Sequence, residues 1–140
     1  MITNVANTQS YKPNFTSEIR MSYSTASTLN QYQKRVQKFI YRQLENLERN
    51  GEDNLVSITY RYDIDPNQAV GRDLLGVQVL KRDGNNVILA SPIIESDICM
   101  PKVSKKGSVR HKVVNVNSLY EIAKKDMLPL CDDNIFSRFI

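Results

Sequence analysis

One histidine, two cysteines and fifteen carboxylates are the side chains from which this 140-residue chain could build acid–base, nucleophilic or metal chemistry. His111 sits inside Val109-Arg110-His111-Lys112-Val113, where flanking cations oppose the ion pair that would activate a nucleophile. Cys99 and Cys131 lie 32 positions apart without a C-x-x-C spacing. Three Cys/His residues with no paired spacing make a poor zinc site, so both cysteines read as reduced structural thiols. The carboxylate pairs Glu52-Asp53, Asp63/Asp65, Glu95/Asp97 and Asp132-Asp133 stand beside turn residues or element ends, where caps and turns favour acids.

Two further motifs stop short. Asp63-Ile64-Asp65-Pro66-Asn67 supplies the first, third and fifth oxygens of a calcium loop, but Gln68 stands where glycine must turn and Leu74 where a bidentate Glu must close it. Gly71 and Gly76 have phosphate-loop spacing, yet Val77-Gln78 replaces the Lys-Ser/Thr that would hold phosphate and magnesium. The chemistry-bearing residues therefore predict no catalytic centre, no metal, no cofactor and no small-molecule substrate.

Cations are arranged with more pattern. Lys34, Lys38 and Arg42 recur every fourth residue with Arg35 beside them, a spacing that stacks like charges on one helix face. Each such pair costs a few tenths of a kcal/mol unless a partner neutralises it. Lys102, Lys105, Lys106, Arg110 and Lys112 place five cations in eleven positions with no acid between. On a two-stranded ribbon they would form a phosphate track or, equally, shield an exposed edge from pairing with other chains. Tyr41 lies near the first cluster, and the second has no aromatic stacking partner.

The elements that must position these groups follow from periodicity. Residues 1–27 read as a polar N-terminal arm, rich in Ser, Thr and Asn, with isolated apolar residues that fit neither helix nor strand. Residues 28–140 read as one α+β domain. Thr28 and Gln31 fit a capping box, and Leu29, Tyr32, Val36, Phe39, Ile40, Leu44 and Leu47 form one apolar stripe, which predicts a long amphipathic helix over 28–50 ended by Asn50-Gly51. Strict alternation predicts a strand over 56–64. A second runs over 74–81, and Asp83-Gly84 turns it into a third over 86–91. A basic hairpin is expected from about 98–103 and 109–116, making an antiparallel sheet of about four or five strands. Ser118 and Glu121 form a second capping box for a helix ended by Pro129, with Leu119, Ile122, Ala123 and Met127 on one face; Asp132 or Asp133 starts a last turn.

Composition restricts the class. Hydrophobic residues at 41% suffice for a core, and the longest run of aliphatic residues and Ala, Val87–Ala90, is far short of a membrane span. No apolar h-region follows a basic start, so a cytoplasmic protein is expected, in a virion or host cytoplasm if virus-encoded. The net charge of +4 is unevenly spread: +4 over residues 1–50, −4 over 51–100 and +4 over 101–140. The expected role is contact: a non-catalytic assembly protein, such as a virus or phage structural or accessory component, working through a protein partner or a second copy. Nucleic-acid binding through the basic ribbon is the first alternative, and inhibition of a host factor the second. Tyr11, Phe15, Tyr23, Phe136, Phe139 and Ile140 are the expected protein-contact residues, and the nine cations of the two clusters the expected anion-binding ones.

Overall fold

A computed structural model describes residues 16–64, 66–67, 71–103, 107 and 109–130. In chain order the elements are β1 (Glu18–Met21), α1 (Tyr23–Leu29), α2 (Lys34–Glu48), β2 (Asn54–Asp63), β3 (Arg72–Asp83), β4 (Asn86–Ala90), β5 (Ile94–Asp97), β6 (Cys99–Val103), β7 (Val109–Val113), α3 (Val116–Lys125) and β8 (Leu128–Pro129). The class is α+β. The main sheet runs β1-β2-β3-β4-β8 with β5 also on β3, and β6 and β7 form a separate ribbon.

The centre of the sheet is an antiparallel meander. β2 and β3 pair along their length from Asn54↔Lys81 to Asp63↔Arg72. β4 and β5 share the opposite edge of β3 and act as one strand interrupted at Ser91–Ile93. Ser91 stitches that interruption down: its N–H donates to the Val79 carbonyl at 2.9 Å, and its hydroxyl accepts from the Val79 N–H at 2.8 Å. Pro92 in this link explains why strand order breaks there.

Alternation sets the two faces. Val56, Ile58, Leu75, Val77 and Val79 point to one side and are buried against Val36, Ile40, Leu44 and Leu47 of α2 and Val116, Leu119, Tyr120 and Ala123 of α3. This is the core among the described residues, a sheet with helices on one face. The other face carries Arg61 bidentate on Glu95 (2.9 and 2.8 Å) and Arg72 bidentate on Asp97 (2.9 and 2.7 Å).

Several expectations are corrected. Residues 18–27 are not arm: β1 pairs in parallel with β2, Glu18↔Leu55 to Met21↔Ile58, so the sheet is mixed, and Thr25 is buried. Residues 1–15, with Tyr11 and Phe15, lie outside the described residues, as do Phe136, Phe139, Ile140 and the expected last turn. The helix expected over 28–50 is two helices. Ser22 caps the first by accepting the Thr25 N–H at 3.2 Å, while the Thr28 hydroxyl donates back to the Ser24 carbonyl instead of capping a new helix. Gln37 Nε2 then satisfies the carbonyls of Asn30 and Tyr32 in the break. The long stripe missed this break because Leu29, at the end of α1, is buried in the same core as Val36 and Ile40 of α2.

At the other end, Asn115, not Ser118, caps α3 by accepting the Ser118 N–H at 3.0 Å. Pro129 does not end that helix; it pairs with Leu89 in β8. Tyr120 is buried and Ile122 is 46% exposed, so the apolar face of α3 lies one residue from where it was expected. β5 went unread in the sequence because its even positions hold only Ile94 and Ser96. Asp63 and Asp97 close β2 and β5, at element ends as expected, while Glu95 lies inside β5; all three pair with arginine.

A candidate anion-binding face

The sequence of α2 builds two faces at once. Val36, Ile40, Leu44 and Leu47 define an arc centred near Ile40, buried on the sheet. At about 100° per residue, Gln43 falls just outside that arc on the Val36 side, and Phe39 lies further out on the same side. Gln43 is 6% exposed and Phe39 45% exposed, so the polar residue is buried and the aromatic one is not. Phe39 is thus corrected from core to surface.

The exposed flank of α2 presents Lys34, Arg35, Lys38 and Arg42. Arg35, Lys38 and Arg42 surround Phe39 in a shallow hollow of about 450 Å³. None of these four cations makes an ion pair among the described residues. The contrast with the sheet is direct: Arg20, Arg61, Arg72 and Arg82 each have a carboxylate within 2.8 Å. Tyr41, the aromatic residue noted from sequence, is half-buried and its hydroxyl donates to Asn30 Oδ1 at 3.3 Å.

Beside this flank stands the ribbon, with β7 packed near α2. Its register sets Lys102 opposite Arg110 and Met100 opposite Lys112, so these backbone positions share one ribbon face. Cys99 and Val113 oppose each other on the other face and pack on the core. Burial pushes the Cys99 thiol up, while the nearby Arg35 guanidinium opposes the shift. Lys112 is exposed; Lys105 and Lys106 lie outside the described residues.

Gln43 joins the two parts, and nothing in its sequence context marked it. Its Nε2 donates to the Val114 carbonyl at 3.0 Å, and its Oε1 accepts from the Val116 N–H at 2.7 Å and weakly from Asn117 at 3.4 Å. One buried carboxamide therefore ties the end of the ribbon and the start of α3 to α2.

Two other polar clusters hold the frame. Asp73 accepts from Tyr32 at 2.5 Å and Tyr60 at 2.7 Å, and burial together with that carboxylate raises the Tyr32 hydroxyl far above its usual range. Tyr120, 2% exposed, donates to Glu52 and accepts from Asn54 at 2.8 Å and Asn50 at 3.2 Å. Burial pulls Glu52 upward, but the Lys124 ammonium and the Tyr120 hydroxyl outweigh it and lower its pKa. The first cluster ties the α1–α2 connection to the sheet, and the second ties α3 to it. No group of three or more His, Cys, Asp or Glu side chains in metal-holding proximity occurs among the described residues. No helix among them is long and apolar enough to cross a membrane. Tyr23, an expected contact residue, is 88% exposed at the start of α1 and does not line the cationic hollow.

Comparison with protein-family models, with curated proteins and with solved structures finds no match to this chain.

Proposed function

We propose that this chain is a non-catalytic contact protein whose cationic α2 flank binds an anionic partner, with nucleic acid as the partner the chemistry favours. The observation that carries this reading is the hollow of Arg35, Lys38 and Arg42 around an exposed Phe39. Like charges stacked on a helix repel one another. Phosphates would supply the missing counter-charge, and the release of condensed counterions would drive association. An aromatic ring among those cations adds a surface on which an unpaired base can stack. The ribbon positions Lys102, Arg110 and Lys112 would extend the contact.

Assembly with protein, the reading first drawn from the chain, leaned on a 27-residue arm. With residues 18–27 built into the fold, the support from that arm narrows, both for assembly and for the virus or phage role drawn from the same arm and from the lack of a catalytic constellation in the sequence.

The test is a salt titration of binding to single-stranded oligonucleotides. The intact protein should bind near 100 mM salt with a slope of about −0.7 per phosphate contact. Arg35→Gln with Lys38→Gln should flatten the slope by about two contacts' worth, without altering sequence preference. Phe39→Ala should weaken binding by an amount equivalent to about 1–3 kcal/mol and leave the slope unchanged. Binding that keeps its slope in the double variant, or no binding at all, refutes the proposal.

A further inference from the structure

The backbone phase of β2 follows from two hydrogen bonds on the far side of β3. The Asp73 carbonyl accepts from the Ile98 N–H at 3.0 Å and the Val79 carbonyl from the Ser91 N–H at 2.9 Å. Odd-numbered β3 residues therefore aim their backbone polar groups away from β2. Their partners, Val56 opposite Val79 and Tyr62 opposite Asp73, must be non-hydrogen-bonded pairs that aim theirs away from β3. β1 meets that side only as far as Ile58. Beyond it, the N–H and C=O groups of Tyr60 and Tyr62 face an edge that carries no further strand among the described residues. A depression of about 640 Å³, lined by Met21, Ser22, Thr25, Thr59 and Tyr60, opens where β1 leaves off.

The side chains at this edge are unlike the rest of the sheet. Tyr62 is 52% and Ile64 70% exposed, although both lie on the face that Val56 and Ile58 bury further back. An edge of this kind, unpaired and partly apolar, is a template for another strand.

We propose that two copies of this chain join through this edge, β2 against β2 antiparallel, with Tyr62 opposite its own counterpart. The charge pattern selects that register. Hydrogen-bonded pairs require residues of the same edge phase, so even positions must meet even positions. One allowed register sets Arg61 against the partner's Arg61, and another sets Asp63 against the partner's Asp63. The register between them sets Arg61 opposite the partner's Asp63 twice over, by symmetry, and Tyr60 opposite the partner's Ile64. Like charges directly opposite are destabilising and opposite charges favourable, so the middle register is the self-complementary one.

The test is a charge swap read by sedimentation and light scattering on the full chain, from about 1 µM to about 1 mM. The wild type should move from monomer toward twice that mass as concentration rises. Arg61→Asp alone sets Asp against the partner's Asp63, and Asp63→Arg alone sets Arg against the partner's Arg61. Each should weaken association at least about tenfold. Mixed together, the two variants should form a heterodimer, since every cross-strand pair is then opposite in sign. That mixture also controls for folding, because an unfolded variant cannot pair. A wild type that stays monomeric throughout, as it would if a segment of its own chain covered the edge, overturns the proposal. So do single variants that self-associate as strongly as the wild type, or a mixture that does not.

Discussion

Replacing Gln43 with Leu tests the joint on which the relation between α2 and the ribbon depends. The side chain keeps roughly its volume, so little cavity forms, but two backbone groups lose their partners: the Val114 carbonyl and the Val116 N–H. Val114 and Val116 are 4% and 0% exposed, so water does not readily replace the carboxamide. An orphaned buried polar group costs about 1–3 kcal/mol, and the apolar gain of leucine offsets part of two such losses, leaving a net cost of about 2–4 kcal/mol. For a chain of this size that corresponds to a Tm lower by roughly 6–15 °C. Urea unfolding should show the midpoint falling with unchanged slope, because the extent of burial is the same. Hydrogen exchange should place the loss locally, with the Val116 amide losing protection before the amides of β2 and β3. A variant within about 0.5 kcal/mol of wild type, or one whose Val116 amide remains as protected as before, refutes the assignment of Gln43 as the joint.

Two further outcomes follow from the sheet. A Cβ at Gly76 would lie 2.4 Å from Thr59 Oγ1 and 2.8 Å from Ile93 Cγ2, so Gly76→Ala should cost about 1–3 kcal/mol, and Thr59→Ala should recover part of it in a double-mutant cycle; full additivity in urea unfolding contradicts the contact. Arginine hydrogen bonds, from Arg20 to Glu18, Arg61 to Glu95 and Arg72 to Asp97, hold those carboxyls below their ordinary values of 4.5, 4.5 and 3.8. A carboxyl with a lowered folded value stabilises the protein above its unfolded value and loses that contribution as pH falls through the folded one. Thermal melts should therefore be level down to about pH 5 and fall below about pH 4, less steeply in Arg61→Gln, and a Tm that holds throughout contradicts this sign.

Local patterning was legible wherever neighbours along the chain share one environment. Alternation along Val56–Ile64 announced β2, Asp83-Gly84 announced the β3–β4 turn with Gly84 at φ +64°, and Asn50-Gly51 announced the end of α2 with Gly51 at φ +79°. The basic flank of α2 was also readable, because the 3.6-residue period that buries Val36, Ile40, Leu44 and Leu47 necessarily exposes the residues opposite them.

Partners distant in sequence were decided elsewhere. Nothing near Ser17–Met21 shows that this stretch adds a parallel strand, because parallel pairing takes its register from a segment more than thirty residues away. The acids at 95 and 97 read only as residues near a turn or an element end, and their arginine partners emerge only when β5 is set beside β3, where Arg61 and Arg72 reach them. Gln43 and Phe39 exchanged their expected places because burial on α2 depends on where α3 and the ribbon sit, and period alone leaves the centre of the buried arc free by one residue. The sequence by itself determined which residues are apolar, charged or turn-forming and how often they recur; the tertiary structure decided which cations find a carboxylate and which are left facing outward, because that depends on distances between segments that the chain's own order does not encode.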